Sequence, residues 1–95
     1  MNRMTKNKLQ HAINELNNAL GNYLECYQPR KSNKEPVKAN GGTYYYCGAS
    51  GGYRLEQMCE GGGARDISNR GTKREVFDYV QAMLKGISAT KDLSK

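Results

Sequence analysis

The sequence predicts a single α+β domain, 1–95, in which two helices pack on one face of a three-stranded antiparallel sheet, in the order helix, three strands, helix. Three observations support this class. Apolar residues recur at helical spacing in the first quarter of the chain. Glycine-punctuated runs of aromatic and β-branched residues fill the middle, and a second apolar stripe follows near the end. The 95 residues suffice for one hydrophobic core but not for two independent ones.

The first helix is predicted over 5–27, because apolar residues recur there every three or four positions. Its stripe consists of Leu9, Ile13, Leu16, Leu20, Tyr23 and Tyr27. Thr5 is the expected N-cap, since its hydroxyl can accept a hydrogen bond from a free amide of the first turn. The other face carries several asparagines, Asn17 among them, and Asn is a poor helix former. Packing of the stripe must therefore stabilise this helix.

A basic loop is predicted over 28–41, where Pro29 ends the helix and almost no residue is apolar. Its cationic residues are Arg30, Lys31, Lys34 and Lys38. Loops of this length in compact domains are commonly functional or disordered. We therefore take these four side chains as candidate binding residues.

Strand signals over 43–68 predict an antiparallel meander of three short strands. The strands are expected at 43–47, 53–59 and 64–68, with glycine-rich turns at 48–52 and 61–63. The turns are the reason to expect neighbouring strands to pair in sequence order.

The register of the first hairpin decides which side chains face the helices. If Cys47 lies opposite Tyr53, the side chains of Tyr44, Tyr46 and Arg54 point away from the helices. A one-residue change of register would invert this assignment. Two tyrosines beside an arginine suit the stacking of single-stranded bases or contact with a protein, and ordinary cross-strand packing is the third reading. We take these three residues as candidate binding residues.

The second helix is predicted over 72–86. Thr72 and Glu75 form a T-x-x-E capping box, and Gly86 is expected to follow the last turn. Residues 88–95 are expected to form a flexible tail.

Arg70, Lys73 and Arg74 surround the start of this second helix. Positive charge there opposes the helix dipole, and an anion such as a phosphate would relieve both the charge and the free amides. Solvated surface charges are the alternative reading. We take these three residues as a candidate anion-binding cluster.

The chain is basic, with a formal net charge of +6 and a pI near 9.3. The excess positive charge lies in 28–41 and 69–95. Such a field raises the encounter rate with a polyanion or an acidic protein surface, and simple solubility of a small domain is the alternative reading. The three cysteines, Cys26, Cys47 and Cys59, lack metal-ligand spacing, so neither a metal site nor a disulfide scaffold is expected. We expect a protein with reduced thiols in the cytoplasm. No apolar run is long enough for a membrane span or a signal peptide.

Catalysis is not expected. His11 is the single histidine, the carboxylates are scattered, and the glycines mark turns rather than a phosphate-binding loop. The sequence therefore predicts a non-enzymatic protein without a cofactor.

The predicted order of elements, with Lys73 and Arg74 opening the second helix, resembles the double-stranded RNA-binding domain. That resemblance implies that the two side chains grip phosphates. The sequence departs from the family at Phe77, which stands where a third basic residue is expected, and in the 48–52 turn, which lacks the histidine expected there.

A second resemblance covers 44–87. The sequence GGYRL at 51–55, followed by GGG at 61–63, IS at 67–68 and TKRE at 72–75, is similar to short accessory proteins of phages and prophages. Small basic proteins from such sources include inhibitors of host defence, anti-CRISPR proteins among them. The resemblance implies an origin and transfers no site residue.

These readings lead to one expected function and two alternatives. The expected function is a phage or mobile-element protein that docks, in the cytoplasm of a host bacterium, on a protein or ribonucleoprotein that handles nucleic acid, such as a Cas effector. A direct DNA- or RNA-binding module is the alternative, and a homodimer built on the first helix is the third class. Direct binding would require affinity for naked nucleic acid that falls steeply with salt.

Overall fold

The computed structural model describes residues 4–28, 38–49 and 51–93. Its elements, in chain order, are α1 (Lys6–Leu20), β1 (Tyr44–Ala49), β2 (Gly52–Met58), β3 (Ala64–Asp66) and α2 (Lys73–Leu93). The strands form one antiparallel sheet in the order β1-β2-β3, and the predicted α+β class is confirmed. Within the described ranges, no helix combines the length and the apolar character that a membrane crossing needs.

One hydrophobic core joins the two helices to the sheet. Its buried residues are Leu9, Ala12, Ile13, Leu16, Leu55, Val76 and Val80. The N-terminal halves of α1 and α2 line one surface groove and their C-terminal halves line another, so the two helices run in the same direction. The predicted stripe of α1 is buried as far as Leu16.

The predicted end of α1 at residue 27 is wrong, because the helix ends at Leu20. Gly21 has a φ of 73°, and its N–H donates to the carbonyl of Asn18 at 3.2 Å. The N–H of Asn22 reaches back to the carbonyl of Asn17 at 2.8 Å. These two bonds form a Schellman cap, which a glycine in the left-handed region favours. At the other end, the predicted N-cap is confirmed by a 3.1 Å bond from the Lys8 N–H to the Thr5 hydroxyl.

The segment that follows α1 pairs in antiparallel fashion with residues 38–43, which lead into β1. Gln28 N donates to Lys38 O at 2.9 Å, Asn40 N donates to Cys26 O at 2.8 Å, and the Thr43 hydroxyl donates to Tyr23 O at 2.8 Å. We call residues 22–28 the return segment. Both ends of the predicted basic loop are therefore paired in antiparallel fashion. Lys38 is exposed on this ladder, while Arg30, Lys31 and Lys34 lie outside the described residues.

The predicted register of the first hairpin is wrong by one residue. Cys47 lies opposite Arg54 rather than Tyr53, and Tyr46 lies opposite the buried Leu55. The cause is the number of residues in the turn. Ala49 pairs with Gly52, so two residues separate the paired positions, whereas the predicted turn at 48–52 has five. An even number in place of an odd one changes the register by one residue. Because side chains alternate along a strand, the shift turns every β1 side chain to the opposite face.

The predicted face of Arg54 is confirmed, since Leu55 and Ile67 face the helices while Arg54 meets Asp66 in an ion pair on the opposite face. β3 is shorter than expected and ends at Asp66.

The predicted capping box of α2 is confirmed, but its predicted end is wrong. Thr72 N donates to Glu75 Oε1 at 3.0 Å, and Glu75 N donates to the Thr72 hydroxyl at 3.1 Å. The helix continues through Gly86 to Leu93, so residues 88–93 are helical rather than a flexible tail. Ile87 packs against the core, which stabilises the helix beyond the glycine. The last two residues lie outside the described ranges.

Candidate binding surfaces

Tyr44 and Tyr46, predicted to face away from the helices as candidate binding residues, lie beneath the helices. Both are partly buried and pack against the core, and the ring of Tyr46 lies 6.0 Å from that of Tyr53. The prediction that they face away from the helices is wrong, for the reason of register given above. A base-stacking platform built on these two rings is therefore not formed.

The face of the sheet away from the helices instead carries a polar network around Glu56, which is only 8% exposed. The hydroxyl of Tyr45 donates to Glu56 Oε1 at 2.7 Å. The guanidinium of Arg54 donates twice to Glu56 Oε2, at 2.8 and 3.0 Å, and lies 3.2 Å from Asp66 Oδ1. Two carboxylates thus neutralise Arg54, so its charge is committed to the fold and this candidate binding residue does not present a free cation.

The network shifts the ionisation of its members. Burial alone would raise the pKa of Glu56, but the hydrogen bonds from Tyr45 and Arg54 outweigh it, and the pKa lies below its ordinary value. The pKa of Tyr45 is raised, first by burial and then by its hydrogen bond to the carboxylate. The hydrogen bond to Glu56 raises the pKa of Arg54 as well. At neutral pH the network therefore contains an anion, a neutral phenol and a cation.

This face is less open than predicted. Met58 is buried, and Tyr45 and Cys47 are half-buried. The bond from the Thr43 hydroxyl to Tyr23 O brings the return segment over one end of the face, and the thiol of Cys26 lies close enough to affect the ionisation of Tyr45. Burial raises the pKa of that thiol.

The predicted cluster of Arg70, Lys73 and Arg74 is assembled beside the first hairpin. Gly71 exchanges two backbone hydrogen bonds with Tyr53, at 2.7 and 2.8 Å, which holds the start of α2 against β2. The Lys73 ammonium lies 5.7 Å from the centre of the Tyr53 ring, a cation–π distance. Arg70 is exposed and makes a long contact of 3.4 Å with a backbone carbonyl of β2.

Two features weaken the anion-site reading of this cluster. The capping box already satisfies the amides of Thr72 and Glu75, two donors that an anion would otherwise take. Arg74 is partly neutralised by Asp78, whose carboxylate lies 3.4 Å from its Nε, and it also lies 5.8 Å from the ring of Phe77. The cluster keeps a positive field at the surface, where its charges lie along one edge of the helix.

Sequence reasoning missed the exposed apolar surface of the return segment. Tyr23 is 64% exposed, Tyr27 49% and Leu24 42%, and Leu20 at the end of α1 is 44% exposed. The helical spacing placed Leu20, Tyr23 and Tyr27 on a buried stripe, but the helix ends at Leu20, before it reaches the two tyrosines. Gly21 followed by Asn22 was the available signal, since glycine is the commonest residue after a helix end.

Two grooves run between the helices. The larger, about 740 Å³, lies at their C-terminal halves and is lined by Leu20, Tyr44, Met83 and Ile87 among others. The smaller, about 430 Å³, lies at their N-terminal halves and includes His11, whose Nε2 lies 2.8 Å from Glu15 Oε1 with both side chains exposed. Across the part of the chain that the structure describes, no three histidine, cysteine or acidic side chains are grouped to hold a metal ion.

The comparisons with known proteins leave the binding surfaces to be interpreted from their geometry. No protein-family model, no curated protein and no solved structure matches this chain.

Proposed function

We propose that this chain is a non-enzymatic binding protein of a phage or other mobile element, which docks in the host cytoplasm on a protein that handles nucleic acid and blocks it. A Cas effector is one example of such a partner, because small basic proteins of phages include anti-CRISPR proteins. The observation that carries the proposal is the set of exposed apolar side chains at the end of α1 and along the return segment, namely Leu20, Tyr23, Leu24 and Tyr27.

These four side chains have the composition of a protein contact. Exposed tyrosines supply large area with few rotatable bonds, and they are enriched among the residues that dominate binding energy. Isolated exposed apolar residues need no explanation, but these four occur within eight consecutive residues. Such a concentration favours a protein partner over a nucleic acid, since it carries no phosphate-binding group.

The return segment also presents these side chains on an ordered backbone. It is tied to residues 38–43 by the bonds at Tyr23, Cys26 and Gln28, and Asn40 adds a bond from its amide to Glu25 O at 2.9 Å. A surface that is already ordered loses less conformational entropy when it binds. The net charge of +6 would in turn attract an acidic protein or a protein that carries nucleic acid.

The test is capture of a partner by the immobilised chain from a bacterial extract treated with nuclease, followed by rebinding of the purified partner at one-to-one stoichiometry. A double variant, Tyr23→Ser with Tyr27→Ser, should weaken that rebinding by about tenfold or more. Tyr79→Ser is the matched control, since Tyr79 is also an exposed tyrosine but lies on α2, and it should bind like the original chain. Retention of full affinity by the double variant would refute the proposal.

A second candidate, direct binding of DNA or RNA, is favoured by the assembled cluster of Arg70, Lys73 and Arg74. It requires affinity for naked nucleic acid that falls steeply as salt rises. Changing Arg70 and Lys73 to Glu should then abolish binding, while the Tyr23 and Tyr27 changes should spare it. If the unmodified chain shows no salt-dependent binding to single- or double-stranded probes, this candidate is excluded.

A further inference from the structure

The outer edge of β1 presents backbone groups that point away from the sheet. On β2, Tyr53 exchanges hydrogen bonds with Gly71, and the carbonyl of Leu55 accepts hydrogen bonds from the residues after β3. Both residues therefore direct their backbone groups away from β1. Their partners in the β1 ladder are Gly48 and Tyr46. In an antiparallel ladder, the two residues of a pair that does not exchange hydrogen bonds point away from each other. The N–H and C=O groups of Tyr46 and Gly48 thus face outward.

The chain closes this edge at Tyr44. The carboxamide of Asn17 accepts from Tyr44 N at 2.8 Å and donates to Tyr44 O at 2.9 Å, as a neighbouring strand would. Further along, among the residues that the structure describes, none bonds the outward groups of Tyr46 or Gly48. Gly48 is exposed. Two consecutive outward positions of β1 therefore offer four unpaired backbone groups.

β1 also lacks the features that keep sheet edges from pairing. Natural edge strands carry charges, prolines or bulges, or are very short. β1 is six residues long and has the sequence YYYCGA, without charge or proline. It pairs with β2 along its whole length without a bulge. The opposite edge is protected in the usual ways, since β3 has three residues and includes Arg65 and Asp66. The two edges of the same sheet thus differ in their readiness to accept another strand.

We propose that β1 pairs with β1 of a second copy of this chain, antiparallel and centred on Cys47. Tyr46 then lies opposite Gly48 of the partner subunit, and Gly48 lies opposite Tyr46 of the partner subunit. Each pair exchanges two N–H···O=C bonds, so the four outward groups of each chain are all used. The result is a continuous six-stranded sheet with a two-fold axis at Cys47.

A second copy fits this edge because the edge is self-complementary. The outward positions lie one residue on either side of Cys47, so a two-fold axis there matches donors to acceptors without a shift. The ladder is limited at both ends by the chain itself, at one end by the Asn17 closure of Tyr44 and at the other by the hairpin after Ala49. Since β1 carries no charge, self-pairing brings no like charges into direct opposition on the strand.

This dimer differs from one built on the first helix. The apolar stripe of α1 packs into the chain's own core as far as Leu16, and Leu9, Ile13 and Leu16 are fully buried there. It also uses none of the return-segment side chains, so it stands independently of the proposed docking function. The edge contact is small, and a dissociation constant in the micromolar range is expected.

The first measurement is sedimentation equilibrium of the reduced chain from about 5 to 500 μM, which spans the expected range. A monomer–dimer equilibrium that tightens with salt is expected, because the two copies each carry +6. A monomer throughout this range would overturn the proposal. Association that continues past the dimer would overturn it too, since it would mean pairing between unlike edges.

The second measurement locates the axis. In a chain whose only cysteine is Cys47, made with Cys26→Ser and Cys59→Ser, diamide should oxidise the two facing thiols, taking two electrons and two protons as the S–S bond forms. Directly opposite residues of this kind lie about 4.5 Å apart between Cα atoms, within the reach of a disulfide. A chain that keeps Cys59 alone is the control and should crosslink far more slowly. Equal crosslinking rates in the two chains would overturn the assigned axis.

The third measurement separates pairing from folding. Cys47→Glu places two carboxylates across the axis, so its dimer should weaken at least fivefold. Cys47 is only half-buried, so the monomer should fold, which circular dichroism checks. Cys59→Glu adds the same charge at an exposed position and should leave the dimer unchanged. If both variants fold and dimerise equally well, β1 is not the interface.

Discussion

Replacing Asn17 by alanine removes both hydrogen bonds that close the start of β1. The Asn17 side chain is fully buried, and its carboxamide bonds Tyr44 N and Tyr44 O at 2.8 and 2.9 Å. Alanine cannot replace either bond, so an N–H and a C=O inside a half-buried strand lose their partners. Each group left unsatisfied costs about 1–3 kcal/mol.

The expected loss follows from these terms. Two unsatisfied groups cost about 2–6 kcal/mol, and alanine returns up to about 0.7 kcal/mol through its better helix propensity. Because Tyr44 is only half-buried, water can bond in part to its freed N–H and C=O groups. The cost therefore lies in the lower part of the range of about 2–6 kcal/mol given above, at about 2–4 kcal/mol. We therefore expect the free energy of unfolding to fall by about 2–4 kcal/mol.

The assay is urea unfolding followed by circular dichroism, with Asn18→Ala as the matched control. Asn18 is the next residue of the same helix and is exposed, so its replacement should change the free energy of unfolding by less than about 0.5 kcal/mol. If the two variants unfold at the same urea concentration, the carboxamide does not hold β1 to α1 and the reasoning fails.

Three further predictions concern single residues. The depressed pKa of Glu56 means that it stabilises the fold above its unfolded pKa and that this contribution is lost as pH falls through the folded value, from about pH 5 downward. Glu56→Gln should therefore be less stable at pH 7 and lose less on acidification, and equal losses in urea titrations at pH 7 and pH 3 would contradict this. Gly52→Ala should cost about 2 kcal/mol or more in thermal melts, because φ is 110° and the new Cβ would lie 2.7 Å from a backbone oxygen, whereas Gly61→Ala meets nothing within 4 Å and should be nearly neutral. Equal melting temperatures for the two alanine variants would refute it. Glu75→Ala should lower stability by about 0.5–1 kcal/mol by freeing the Thr72 amide, and an unchanged melting temperature would show that the capping box contributes nothing.

Local signals in the sequence were sufficient wherever structure depends on near neighbours. The N-cap at Thr5 and the capping box of Thr72 with Glu75 were both predicted and both form. Each needs only three or four residues of helix, so no distant part of the chain can overrule it. The buried stripe of α1 was predicted for the same reason as far as Leu16.

The C-terminal ends of the helices were less predictable, because neither apolar spacing nor a glycine fixes where a helix ends. Tyr23 and Tyr27 keep the helical spacing, yet the cap at Gly21 releases them to the surface. Gly86 has the composition of a helix end, yet packing of Ile87 against the core carries the helix onward. Two glycines thus act differently, according to what the following residues contact.

By itself the sequence determined the order of the elements, the antiparallel meander, the N-terminal caps of both helices and the apolar positions of α1 that are buried as far as Leu16. Only the tertiary structure decided which face of the sheet each β1 side chain occupies. With a side-chain period of two, a single residue of turn length moves Tyr44 and Tyr46 from an open surface into the core and leaves Tyr45 beside Glu56. The same pairing points the backbone of Tyr46 and Gly48 outward, because the direction of a strand's hydrogen bonds is set by its neighbour across the sheet.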